Sequence, residues 1–207
     1  MSKNVSYETT TVCSLACPGC QRMTKEKYKS DWDKGDIPVD IFEKSLIGLD
    51  PKISQVNLTG CYGDAIYHKQ FLDILDAVIN SGLYWMITTC GANRPPSFWD
   101  NVATRDLSRA RWIFSIDGLA DTNHIYRKNA RWETIDYAVR VITGMDKKPR
   151  RIEWKYIVFP YNEHQVEQAK QQAKEWNVDF FDPVKSDRSN LLYQYLPIAE
   201  QELYAWE

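Results

Sequence analysis

Cys13, Cys17 and Cys20 fall within eight residues, in the run Cys13-Ser-Leu-Ala-Cys17-Pro-Gly-Cys20, where a Pro-Gly pair keeps the last turn compact. Thiolates are soft ligands that suit iron-sulfur clusters or zinc. Their number matters. A structural zinc site takes four closed ligands, whereas a cubane held by three thiolates keeps one iron open to an outside ligand, the condition for catalysis at a metal. No fourth Cys or His stands beside the run, so the zinc alternative needs Cys61, Cys90 or His68 brought across from neighbouring strands. Five cysteines, an odd number with three packed together, fit a metal site in a reducing compartment better than a disulfide framework, and the expected location is the cytoplasm.

The rest of the chain supplies a scaffold able to present such a loop. Residues 5–12 are rich in Val, Tyr and Thr and read as a strand ending at the first cysteine. Pro38 opens a helix with Ile41, Phe42, Leu46 and Leu49 as its apolar stripe. A strand at 53–59 ends at Gly60, and a helix with Phe71, Leu72, Leu75, Val78 and Ile79 at helical spacing stops at Ser81 and Gly82. Further strands are predicted at 83–89, 111–116, 152–159 and 178–181. They are separated by helices near 98–102, around Ile135 to Ile142 and over 163–176, the last with Val166, Ala169 and Ala173 facing inward. Six strands alternating with helices argue for a parallel α/β sheet, because each parallel neighbour needs a crossover. In an open sheet or in a barrel, the loops after the strand C-termini share one rim. On that rim lie the cysteine loop, residues 60–64, residues 90–94 and residues 115–118.

Composition narrows the class of partner. Hydrophobic residues make up 43% and charged residues 26%, ordinary globular usage, and the net charge of −2 creates no overall field favouring nucleic acid or an anionic membrane. The N-terminus lacks the apolar core of a secretory signal, and no stretch approaches the roughly 20 apolar residues of a membrane span. Taken alone, Gly63 with Asp64 could be a turn closing a strand, and Ser115-Ile-Asp-Gly118 a capped turn. His68, His124 and His164 are dispersed and form no ligand pair.

The spacing C-x3-C-x2-C after the first strand of a parallel α/β chain resembles the signature of the radical SAM superfamily, over residues 5–182. The resemblance implies a partial (β/α)6 TIM-like barrel with parallel strands. It also implies a 4Fe-4S cluster on Cys13, Cys17 and Cys20 that binds the amino and carboxylate groups of S-adenosylmethionine. Reductive cleavage would yield methionine and a 5′-deoxyadenosyl radical that abstracts hydrogen from a substrate. Residues 58–68 resemble the family's Gly-Gly-Glu-Pro segment, with Gly63 and Asp64 in the places of the last Gly and the Glu, facing the cofactor's ammonium group. Ser115-Ile-Asp-Gly118, with His124 and Arg127 downstream, resembles the peptide-modifying SPASM and twitch branch. By that likeness Ser115 and Arg127 contact the cofactor carboxylate or ribose, and Asp117 shapes the turn. Lys155, Asn162 and Glu163 flank the fifth strand, where a polar residue could approach the ribose or adenine.

Three departures stand out. Gly19 occupies the position before the last cysteine where many members carry an aromatic residue, and Cys90 stands where relatives often have Asn; Cys90 is read as a packing residue. No cysteine follows Cys90, so the auxiliary-cluster segment of the SPASM and twitch branch is lacking. Residues 1–186 are therefore read as the barrel core and 187–207 as a C-terminal extension, which is either the end of a one-cluster protein or a truncated auxiliary segment. The partners implied are a reductant such as flavodoxin or ferredoxin and a peptide or small-molecule substrate, with a wide cavity favouring a peptide. The alternatives are a non-catalytic descendant that binds the cofactor or a partner, and a zinc-stabilised α/β interaction protein.

Overall fold

The alternating pattern resolves, in a computed structural model describing residues 3–23 and 34–185, into six strands of one sheet. They are β1 (Lys3–Ser6), β2 (Ile53–Leu58), β3 (Tyr84–Thr89), β4 (Ala110–Ser115), β5 (Arg151–Val158) and β6 (Phe180–Lys185). All neighbours are parallel and lie in sequence order. Crossovers of one hand that always step the same way put every helix on one face, and the sheet curls around the other. The result is a partial α/β barrel, with no pairing between β1 and β6 among the described strands. The extension expected at 187–207 lies outside the described residues.

The helices are α1 (Val39–Ile47), α2 (Phe71–Asn80), α3 (Pro96–Val102), α4 (Asn123–Tyr126), α5 (Trp132–Gly144) and α6 (Val166–Glu175). One face of each strand packs beneath them. Val56, Leu58, Trp85, Ile87, Trp112, Phe114, Trp154 and Tyr156 are all buried there. Trp112 meets Trp99 of α3, and Trp154 meets Trp176, just past α6. Since side chains alternate along a strand, the concave face carries the intervening residues, and these are largely polar: Ser6, Gln55, Asn57, Thr88, Arg111, Ser115, Glu153 and Lys155. At its floor Arg111 grips the buried Glu153 through two bonds of 2.6 and 2.7 Å, and Arg151 adds a third contact.

Several boundaries differ from expectation for identifiable reasons. β1 ends at Ser6 instead of residue 12, because the following residues peel away to meet the loop after β2. Tyr7 still donates to the Asn57 carbonyl, but Thr10 bridges to Asp36 in antiparallel fashion. β6 runs to Lys185 and tolerates Pro183, as an edge strand can. In α1, Phe42 and Leu46 are buried while Ile41 is 48% exposed, so the stripe is narrower than predicted. The helix expected from residue 163 begins as a 3-10 turn, Glu163–Gln165, before α6. The four-residue α4 went unpredicted.

Candidate functional site

The rim loops enclose one cavity of about 720 Å³. Cys13, Cys17 and Cys20 line it together with Gly60 to Asp64, Thr88 to Cys90, Ser115, Arg127, Lys155 and Lys185. Seven of the eight residues singled out in sequence therefore share one wall or another of this space. The eighth, Asp117, is wholly buried and does not reach it.

The cysteine loop is pinned from several directions. Leu15 is buried beneath it, and the Cys20 amide donates to the Cys17 carbonyl at 3.0 Å, closing the turn across Pro18 and Gly19. The Ala16 amide donates to Lys128 at 3.1 Å, just beyond α4. Ser14 meets the Tyr67 hydroxyl and accepts a 3.0 Å bond from Asn93. Asn93 sits at φ +60, a left-handed conformation that Asn tolerates better than most residues. Its amide nitrogen also donates to the Asn129 carbonyl at 2.7 Å, and its oxygen accepts from the Arg131 amide. One side chain thus ties together the cysteine loop, the loop after β3 and the segment between α4 and α5.

The loop after β2 rests on residues 8–12. A Cβ on Gly63 would lie 2.0 Å from the Thr10 carbonyl oxygen, and one on Gly60 would lie 2.5 Å from the Glu8 carboxylate. Only glycine permits either approach. The Glu8 carboxylate accepts from three successive amides, those of Cys61 at 2.8 Å, Tyr62 at 3.0 Å and Gly63 at 2.8 Å, and the Asp64 amide donates to Val12. Sequence reading missed Glu8, whose partners lie more than 50 residues away. Asp64 also differs from expectation. The residue is 7% exposed, and its carboxylate is engaged inside the protein, by Thr89 Oγ1 at 2.9 Å, the Cys90 amide at 2.8 Å and the Ile66 amide. Burial raises its pKa against those bonds, and its observed work is to fasten the loop after β2 to the loop after β3.

Arg127 Nε donates to Asp117 Oδ2 at 2.6 Å, while Asp117 Oδ1 accepts from the Ile157 amide. Burial works to raise Asp117's pKa; Arg127 and that amide oppose it, and the carboxylate in turn holds the guanidinium protonated well above its ordinary range. Asp117 thus aims Arg127 at the cavity instead of lining it. Asn162 is also structural: its side chain accepts from the Phe159 amide and donates to the carbonyls of Asp117 and Ile157. Glu163 is exposed and lies outside the lining, whereas Lys155 faces the cavity.

The thiols differ in character. A hydrogen bond from the Cys90 thiol lowers Cys13, and burial pushes Cys17 up to about 11 against the pull of Arg127. No disulfide joins any of the five cysteines. Among the described residues no three His, Cys, Asp or Glu side chains converge closely enough to hold a single metal ion. His68 could not complete a zinc site either, since Nε2 bonds the Ile37 carbonyl and Nδ1 accepts from the Gln70 amide.

No protein-family model and no curated protein matches the chain. Solved structures do. SuiB of Streptococcus suis bound to S-adenosylmethionine superposes with a TM-score of 0.69 at 14% identity, over 88% of this chain and 40% of that one. SuiB bound to its precursor peptide SuiA gives 0.72 at 14% identity, over 97% and 44%. The enzyme anSMEcpe with bound AdoMet gives 0.61 at 12% identity, over 88% and 49%. The chain spans less than half the length of these proteins. In the described residues no helix is long and apolar enough to cross a membrane. Six parallel strands in sequence order, a cavity walled by their C-terminal loops and these superpositions together establish that the chain has the partial-barrel fold of the radical SAM enzymes.

Proposed function

We propose that the chain is the core of a radical SAM enzyme acting on a peptide. The observation that carries this reading is the convergence of Cys13, Cys17 and Cys20, the loop 60–64, Ser115 and Arg127 on one cavity. Cys13, Cys17 and Cys20 would hold a 4Fe-4S cluster, which when bound supplies the electron that cleaves S-adenosylmethionine and so generates a hydrogen-abstracting radical. The donor set fits, being three soft thiols that line one cavity and form no disulfide. Arg127, aimed by Asp117, suits the cofactor's carboxylate, because a guanidinium presents donors to both oxygens. Ser115, one residue beyond Phe114 on β4, is placed to add a hydroxyl contact. The backbone of residues 60–63 offers carbonyl oxygens to the ammonium group.

A peptide substrate is supported by two observations. SuiB has been solved with its precursor peptide and anSMEcpe with the Cp18Cys peptide, and the concave face here is largely polar. Lys155 stands on that face beside Ser115, in register with it. A one-electron donor such as flavodoxin or ferredoxin completes the set of partners.

The experiment is anaerobic reconstitution with iron and sulfide, followed by dithionite and S-adenosylmethionine. The reading expects 5′-deoxyadenosine and methionine in equal amounts. An intact cluster that binds the cofactor tightly and forms neither product would mark a non-catalytic descendant, and zinc without sulfide would defeat the reading.

A further inference from the structure

Among the described residues Glu8 is the one carboxylate whose oxygens are met by three consecutive backbone amides of a rim loop, and that loop lines the cavity. With the amides of Cys61, Tyr62 and Gly63 drawn to one side, the peptide planes turn their carbonyls the other way. The carbonyls of Gly60 and Cys61, which share planes with the first two of those amides, accept no hydrogen bond among the described residues. Carbonyl oxygens left unpaired at a cavity wall form a seat for a cation. An ammonium group, with three donors, matches it.

We infer that Glu8 is the positioning residue of the cofactor's ammonium site: its carboxylate orients loop 60–63 so that the loop's carbonyls, and not the Asp64 side chain, receive the ammonium. The inference rests on the proposed binding of S-adenosylmethionine. It also accounts for Asp64, whose carboxylate is engaged by Thr89 and Cys90. Glu8 stands five residues before Cys13, so the segment that leads to the thiols also frames the loop facing them. Gly60 and Gly63 are needed because the loop lies directly against Glu8 and Thr10.

Glu8→Gln and Glu8→Ala test this, each reconstituted anaerobically beside the wild type and compared by equilibrium binding of S-adenosylmethionine and of 5′-methylthioadenosine, which lacks both the ammonium and the carboxylate. Expected is a loss of at least tenfold in affinity for S-adenosylmethionine, with iron and sulfide contents unchanged and binding of 5′-methylthioadenosine within twofold of wild type. Glu8→Gln, which keeps size and one acceptor, is expected to fall between wild type and Glu8→Ala, and it serves alone if Glu8→Ala does not fold. Equal weakening of both ligands would reduce Glu8 to a general structural role and overturn the inference, as would unchanged affinity for S-adenosylmethionine. A wild-type protein that binds neither ligand would overturn the functional reading along with it.

Discussion

Asp117 and Arg127 show how much a single pair can decide at this site. A buried carboxylate opposite a guanidinium 16% exposed in its side chain is costly to break, since removal of one partner leaves the other charge uncompensated. Asp117→Asn should therefore lower stability by about 3–5 kcal/mol, read from the urea unfolding midpoint, even though Asn can still accept from the Ile157 amide. Adding Arg127→Met should restore part of the loss, because the two changes share one interaction. What the sequence discloses about such residues depends on range. The three cysteines were legible because they fall within eight residues of one another. Glu8 and Asn93 were not, since their partners are 53 to 55 and up to 79 residues distant, and no local pattern encodes a contact made only after the sheet assembles. Asp64 was legible as a site residue but not as a brace, because its partners Thr89 and Cys90 belong to the next strand's loop.

Among the elements, β5 holds the helical layer to the site. Trp154 is fully buried, donates through Nε1 to the Ile116 carbonyl at 2.8 Å, and packs against Tyr156, Trp176 and Phe181. Trp154→Ala should cost about 3–5 kcal/mol, and because Lys155 and Ile157 stand on the same strand, thermal melting and the near-ultraviolet signal of the tryptophans should change together. The periodic helices and central strands could be read from sequence, since burial on one face imposes a pattern along the whole element. The ends could not. β1 stops early because Glu8 and Thr10 are held by the loop after β2, and α4 is a single turn, too short for any periodicity. The exposed Ile41 shows the opposite limit, an apolar residue at helical spacing that the neighbouring elements leave uncovered.

At the scale of the molecule, the barrel has an unusual division of surfaces: aromatic under the helices, polar within. TIM-type barrels with a closed interior are filled by layers of branched apolar side chains, whereas here Arg111, Arg151 and Glu153 form an ion-paired floor. Anaerobically purified protein should be brown, with iron and sulfide near four each per chain for a cubane. Cys17→Ala should abolish the colour, while Cys61→Ala, altering an exposed residue at the rim, should keep it; metal and sulfide analysis of the two variants checks both outcomes. Because all five cysteines of the chain line the same hollow, the protein carries its own gauge of occupancy. An alkylating reagent counted by mass would find few targets while the inorganic core is in place, and several more once oxygen or a chelator has stripped it. The number of labels per chain then measures loading without any assay of turnover.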